Sequence, residues 1–252
     1  MDYKINTKEM IEWCSYNWES KMEDGRIIHP KEPWMWIDKD QVSVLEDGTL
    51  ELRMTYRPKY VLYEGEEYFP KMACGLIRSQ EEFGYGTYSA EIKCPTGFNL
   101  WPSFWITGSE NWPPEIDIME AWTGIDEYFR WFTPQFPWLN PGWRTTTNSH
   151  YLDKNLKHRQ SGSRNISWFK QRKNPKSEFI KYSCKWSPGK IEFYVGDKKI
   201  RTIKQDITRY LEHPEKTWKV NVVFDLFCED IHYHDLGMYE PMLVKNFKYE
   251  EL

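Results

Sequence analysis

From about residue 40 onward, apolar and polar positions alternate in short runs separated by turn residues. Gln41 to Leu45 precedes Asp47-Gly48, a pair suited to a tight hairpin turn. Leu50 to Tyr56 alternates strictly, placing one set of side chains on a core and the other on solvent. Met72 to Arg78, Tyr85 to Lys93, Glu178 to Trp186, Lys190 to Val195 and Lys199 to Ile203 also read as strands. Ser187-Pro188-Gly189 and Gly196-Asp197 supply turns between the last three. Lys219 to Phe227 is almost continuously β-branched and aromatic, which fits a strand buried on both faces. Leu243 to Tyr249 closes the chain as another alternating strand. A helical stripe occurs only at residues 7–20, with Thr7 as N-cap and Met10, Ile11 and Cys14 on one side. Residues 122–176 read as a long irregular region carrying Trp131, Trp138, Trp143, His150 and Trp168, suited to walling a cleft. Many short strands with little helix predict an all-β antiparallel sandwich. No repeat or low-complexity linker interrupts the chain, so residues 1–252 are read as a single domain.

One strand departs from this simple alternation. In Glu115-Ile116-Asp117-Ile118-Met119-Glu120, acid and apolar residues alternate from 115 to 118, and then the phase breaks. A regular strand would turn Glu120 into the core, where a lone carboxylate is costly. A β-bulge between 118 and 120 adds one residue and returns Glu120 to the acidic face. Ile118 and Met119 are expected to straddle it. Two glutamates then share a face with an aspartate between them. Retaining glycosidases use two carboxyl groups roughly 5 Å apart, one as nucleophile and one as acid/base. The aspartate adds like charge that helps keep one glutamate protonated. A solvated acidic face or a metal-binding cluster are the other readings of such a run. The aromatic surroundings favour sugar chemistry. Trp112 and Trp122 flank the acids, and Leu100-Trp101-Pro102-Ser103-Phe104-Trp105 precedes them. The apolar face of a pyranose packs on an indole.

Composition narrows the picture. Aromatics make up 17% of the chain, including 14 Trp and 16 Tyr, more than a core alone requires. The net charge of −4 gives no basic footprint for nucleic acid. No segment approaches the roughly 18 apolar residues needed to span a bilayer. The N-terminal stretch has no apolar signal core. Cys14, Cys74, Cys94, Cys184 and Cys228 are widely spaced with no C-x-x-C pair. They read as buried free thiols, with one bridge left open, rather than as a disulfide framework or zinc site.

These residues carry a family resemblance. Phe83 to Lys93, Leu100 to Trp105, Glu115 to Glu120, Asn148-Ser149-His150-Tyr151, Tyr182 to Val195 and Met242 to Tyr249 together resemble glycoside hydrolase family 16. That family includes laminarinases, lichenases, agarases, porphyranases and carrageenases. The match covers roughly residues 40–250, and the six-residue acid motif resembles the bulged branches. The resemblance implies a β-jelly roll of two curved antiparallel sheets with a carbohydrate cleft on the concave face. It implies Glu115 as nucleophile, Asp117 as assisting acid and Glu120 as general acid/base. It makes His150 a cleft histidine, and Trp101, Trp105 and Trp112, with Trp122, the sugar-binding indoles. It implies a secreted or periplasmic protein, although no signal peptide is evident in this chain, and a monomer is expected.

Three departures matter. Pro114 stands where glycine is common before the nucleophile, and Asp225 where asparagine is frequent. Lys245 replaces an aspartate that often holds a structural calcium. A lysine cannot ligate calcium, so no cofactor is required and that site is in doubt. The expected activity is endo-acting hydrolysis of a β-1,3- or mixed β-1,3-1,4-glucan with retention. A β-galactan of the agar, porphyran or carrageenan type is the alternative. Asp225 and a basic stretch from Lys154 through Lys157, His158, Arg159 and Arg164 to Lys181 and Lys185, suited to sulfated sugar, keep it open. A carbohydrate-binding protein without catalysis, or a transglycosylase using a sugar acceptor, are further alternatives.

Overall fold

A computed structural model of the chain describes residues 33–95, 97, 100–109, 112–123, 143–162, 164–166, 174–204, 219–228 and 239–252, with Ile28 and two short strands, Lys4–Ile5 and Trp18–Glu19. Two antiparallel sheets dominate it. One follows the order Lys198–Lys204, Lys190–Val195, Ile180–Ser187, Gly86–Lys93, Met242–Glu251, Leu50–Leu52 and Val42–Val44. The other runs Lys4–Ile5, Trp18–Glu19, Leu76–Ser79, Val220–Cys228, Leu100–Gly108, Glu115–Thr123, Trp143–Leu152 and His158–Gln160, with Arg164–Asn165 also paired to Trp143–Leu152.

The alternating residues close the space between the sheets. Tyr88, Tyr182, Cys184, Trp186 and Phe193 come from one, Phe104, Ile116, Phe224 and Leu226 from the other, all within one buried cluster. Phe104 stacks on Phe224 within the second sheet at 4.7 Å, and Phe247 of the first sheet crosses the core to meet Phe224 edge-on at 5.9 Å. Val220–Cys228 is buried along nearly its whole length, as its continuous apolar run predicts. The arrangement is the all-β sandwich expected.

Two predicted strands are each divided. Leu50–Leu52 belongs to the first sheet, whereas Met54–Tyr56 joins a small sheet with Met72–Cys74 and Met35–Ile37. Met72–Cys74 in turn ends at Gly75, and Leu76–Ser79 continues in the second sheet. The break occurs where Arg53 and Gly75 meet. The Arg53 N–H donates to the Gln41 carbonyl at 2.7 Å, and the Gly75 N–H donates to the Arg53 carbonyl at 2.9 Å. A Cβ on Gly75 would lie 2.6 Å from the Gln41 carbonyl oxygen, so glycine is required for this close approach.

Other expectations need correction. Residues 143–152 of the supposedly irregular region form a full strand of the second sheet. Trp18–Glu19, at the end of the predicted helix, is strand, and the rest of residues 7–20 lies outside the described residues. Trp131, Trp138 and Trp168 also lie outside them. Cys74, Cys94, Cys184 and Cys228 are buried; Cys14 lies outside the described residues. Lys245 pairs with Glu91 at 3.8 Å and sits over the Phe179 ring at 4.1 Å. The basic stretch is not one surface among the described residues. Lys181 and Lys185 lie on the first sheet, whereas His158 and Arg159 lie on the second.

Candidate active site

The strand Glu115–Thr123 lies between Leu100–Gly108 and Trp143–Leu152. Asp117 is opposite Trp105 on one side and Asn148 on the other. Glu120 is opposite Ser103 and Thr146. The acid strand thus takes three steps, 117 to 120, while each neighbour takes two. That is a bulge, located where the phase break requires it. Ile118 and Met119 both point into the core, at 1% and 0% exposure, and Glu120 is only partly buried. The burial of two consecutive apolar residues provides the favourable term that offsets the interrupted ladder.

Before the acid strand, Trp112-Pro113 and Pro113-Pro114 are both cis. The Trp112 indole N–H donates to Glu115 Oε2 at 2.8 Å. His150 Nε2 stands 3.3 Å from Glu115 Oε1 and 3.6 Å from Asp117 Oδ2. His150 Nδ1 is 2.9 Å from His158 Nε2, and the two imidazoles stack nearly parallel at 5.1 Å. Trp112 packs on both rings, at 5.9 Å from His150 and 4.6 Å from His158. Thr146 Oγ1 lies 3.5 Å from Glu120 Oε2.

Burial pushes the Asp117 carboxyl well above the usual carboxylate range. The negative charges of Glu120, Glu115 and Asp225 push it further, and Arg201 opposes them. Asp117 therefore resists ionisation in the middle of the site. Burial, with the neighbouring His158, pushes the His150 imidazole down to about 4, so it is neutral at neutral pH. Glu115, Asp117 and His150 each offer one ligand atom within 4.8 Å of the others, so these residues could hold a cation.

The aromatic residues divide by environment. Trp101 and Trp105 alternate with buried Leu100, Phe104 and Ile106, and so face away from the core together, as their parity predicts. Trp101 stacks on Trp122 at 5.8 Å, and Trp122 is buried. The Trp105 indole N–H donates to Asp225 Oδ2 at 2.6 Å, fixing that ring among Ile37, Leu76 and Val223. Trp112 is exposed. Asp225 lies across Ser103 from Glu120, and so in the same cross-strand row.

Sequence reasoning named Asn148 only within a family block and His158 only within the basic stretch, and placed neither beside the acids. Asn148 lies two residues before His150 and shares its face, a spacing that could have identified it. His158 is brought in by pairing of Trp143–Leu152 with His158–Gln160, and nothing local in the sequence marks it.

The model for glycosyl hydrolases family 16 matches residues 31–224, a span that includes the acid strand, His150 and His158. The chain belongs to this family. Among curated relatives, the family 16 chain is 47% identical over 47 residues to a galactan endo-beta-1,3-galactanase of Flammulina velutipes. That stretch is 18% of each protein. It is 23% identical over 201 residues to xyloglucan endotransglucosylase/hydrolase protein 3 of Arabidopsis thaliana, covering 74% of this chain and 61% of that protein. The chain thus spans less than two thirds of the curated relatives it matches. Among solved structures, a LamA variant from Zobellia galactanivorans in complex with laminaritriose and laminaritetraose shares the fold. Its TM-score is 0.66 at 17% identity, covering 99% of this chain and 95% of the other. Among the described residues, no helix is long and apolar enough to cross a membrane.

Proposed function

We propose that this family 16 chain is an endo-acting glycoside hydrolase that cleaves a β-linked polysaccharide with retention of configuration. The observation that carries this reading is the bulge that returns Glu120 to the face of Glu115 and Asp117. Glu120, protonated, donates to the glycosidic oxygen while Glu115 attacks the anomeric carbon, forming a glycosyl ester. Water, deprotonated by Glu120, then releases the sugar. Trp112 donates to Glu115 Oε2 and helps orient the carboxylate. Burial and the charges of Glu120 and Glu115 push the Asp117 carboxyl upward, so the three carboxyls do not titrate independently. Asp117 is the assisting acid, and Trp101, Trp105 and Trp112, with Trp122 behind Trp101, are the indoles that hold sugar.

The substrate reading is a β-1,3-linked backbone. The sequence alone favours glucan. The 47% identity to a galactan endo-beta-1,3-galactanase, together with Asp225, moves the preference to a β-1,3-galactan. A β-1,3- or mixed-linkage glucan remains the second reading, favoured by the indole-rich open face. Such polymers lie outside cells, so the protein is expected to act there, as a monomer and without a cofactor.

The test is a panel of β-1,3-galactan, laminarin, lichenan, agarose, porphyran and carrageenans, scored by oligosaccharide release. The first-formed anomer is followed by NMR. Galactan is expected to release β-anomeric oligosaccharides first. An α-anomer would overturn the double displacement, and sugar binding without release from any polymer would leave a lectin. Products longer than the starting oligosaccharides would make the protein a transglycosylase.

A further inference from the structure

The hydrogen bonds around His150 fix its tautomer. Ser161 Oγ receives the Ser149 backbone N–H at 3.0 Å and an Arg201 N–H at 3.1 Å. Both of those partners can only donate, so both hydroxyl lone pairs are used. The Ser161 hydroxyl must therefore donate its own proton, and its remaining neighbour is the Asn148 side chain at 3.2 Å. That atom of Asn148 is the carbonyl oxygen. The Asn148 amide NH2 then faces the other way, to Gln160 Oε1 at 3.2 Å and His150 Nε2 at 3.1 Å. His150 Nε2 accepts, so the imidazole proton sits on Nδ1 and is donated to His158 Nε2.

The consequence is a convergence of acceptors. The His150 Nε2 lone pair, which accepts the Asn148 amide N–H, stands 3.3 Å from Glu115 Oε1 and 3.6 Å from Asp117 Oδ2. Asp117 Oδ2 is fully buried and accepts no hydrogen bond among the described residues. Ligand atoms about 2.0–2.2 Å from a common centre lie roughly 3–4 Å apart, as the two His150 contacts do, and the three atoms together lie within 4.8 Å of one another, so the two carboxylates close in around an ion. His158 supplies the outer partner that holds a ligating histidine in the correct tautomer.

We propose that Glu115 Oε1, Asp117 Oδ2 and His150 Nε2 form a site for a divalent transition-metal ion of the zinc class, and that the ion blocks the cleft. The nitrogen ligand favours zinc-class ions over calcium or magnesium, which take oxygen. Binding draws the His150 lone pair away from Asn148, which keeps Gln160 and Ser161 as partners. The blocking effect rests on the reading of Glu115 as nucleophile, because its carboxylate would be held by the ion; the binding itself does not.

Zinc chloride titrated into the chelator-treated chain, against a chromophoric chelator at neutral pH, reads the site directly. The wild type is expected to take up one equivalent more than His150→Ala, and Glu115→Gln to lose the same equivalent. His158→Phe keeps a packed ring but removes the acceptor, and is expected to weaken that equivalent about 10–100-fold. Thermal unfolding without metal confirms that each variant is folded. Equal zinc uptake by the wild type and both site variants overturns the proposal. Zinc should also lower kcat/KM reversibly; uptake at this site with unchanged turnover overturns the block. Uptake is measured without substrate, so the two readings fail separately. A chain that cleaves no glycan yet binds zinc sinks the hydrolase reading, and a chain that cleaves glycan yet binds no zinc sinks this one.

Discussion

Asp117 and Glu192 occupy comparable positions in opposite sheets. Each lies within a strand, and their side chains are only 6% and 9% exposed. Their electrostatics are opposite. Glu192 accepts hydrogen bonds from Lys199 at 2.8 Å and Lys190 at 3.0 Å, and these hold its carboxyl below the usual range. Asp117 is buried among Glu120, Glu115 and Asp225, and its carboxyl is pushed up. Concealment alone does not set the character of a carboxyl; its neighbours do. The sheet carrying Glu192 satisfies its acid, whereas the sheet carrying Asp117 tolerates a costly cluster, the pattern of perturbed groups concentrated at a functional site.

The comparison is tested most severely through activity. Glu115→Gln is expected to lower turnover by roughly 10⁴-fold or more, and Glu120→Gln by about 10²–10⁴-fold on substrates with poor leaving groups. Steady-state assays on folded protein read both. Glu192→Gln should leave turnover unchanged, and a comparable loss there would end the distinction between the two sheets.

Stability against pH sharpens the same contrast. Asp117 has a folded pKa above its unfolded value near 3.9. The wild type therefore loses stability as pH rises from about 4 through the folded value. Asn does not titrate, so Asp117→Asn should gain on the wild type across that window and level off above it. The gain is expected on the order of 1–3 kcal/mol near neutral pH, read by denaturant unfolding with chelator present. A gain that does not vary with pH would show that Asp117 is not the stressed group.

Glu192 should behave in the opposite sense and more weakly. Its folded pKa is depressed, so its contribution is present above the unfolded value near 4.3 and fades as pH falls through the folded one. Lys190 and Lys199 are 47% and 51% exposed, so screening limits the pair. Glu192→Gln is expected to cost less than about 1 kcal/mol at neutral pH and nothing in strong acid, measured by the same unfolding experiment.

The acid strand and its bulge were legible because they break a simple period. Alternation from Glu115 to Ile118 and the misplaced Glu120 define both the face and the inserted residue. The strands themselves were legible for the same reason, from Lys190–Val195 to Val220–Cys228. The corner at Arg53 and Gly75 was not, because alternation continues across it while the backbone changes partners. His158 was also hidden. Its place beside His150 depends on the register His150 opposite Gln160, a pairing between strands that no local pattern specifies. The basic stretch misled because nearness in sequence does not survive assignment of Lys181 to one sheet and Arg159 to the other.

The bulge also determines which genetic changes the chain can absorb. Ile118 and Met119 fill the core with ordinary apolar bulk, so exchanges among residues of similar volume there cost less than about 1.5 kcal/mol. Loss of either codon is a different event. It removes the inserted residue and restores plain alternation, so the three acids would still share one face without the bulge. This stretch is therefore expected to drift in spelling among descendants, and to keep its three acids in phase with or without the extra residue.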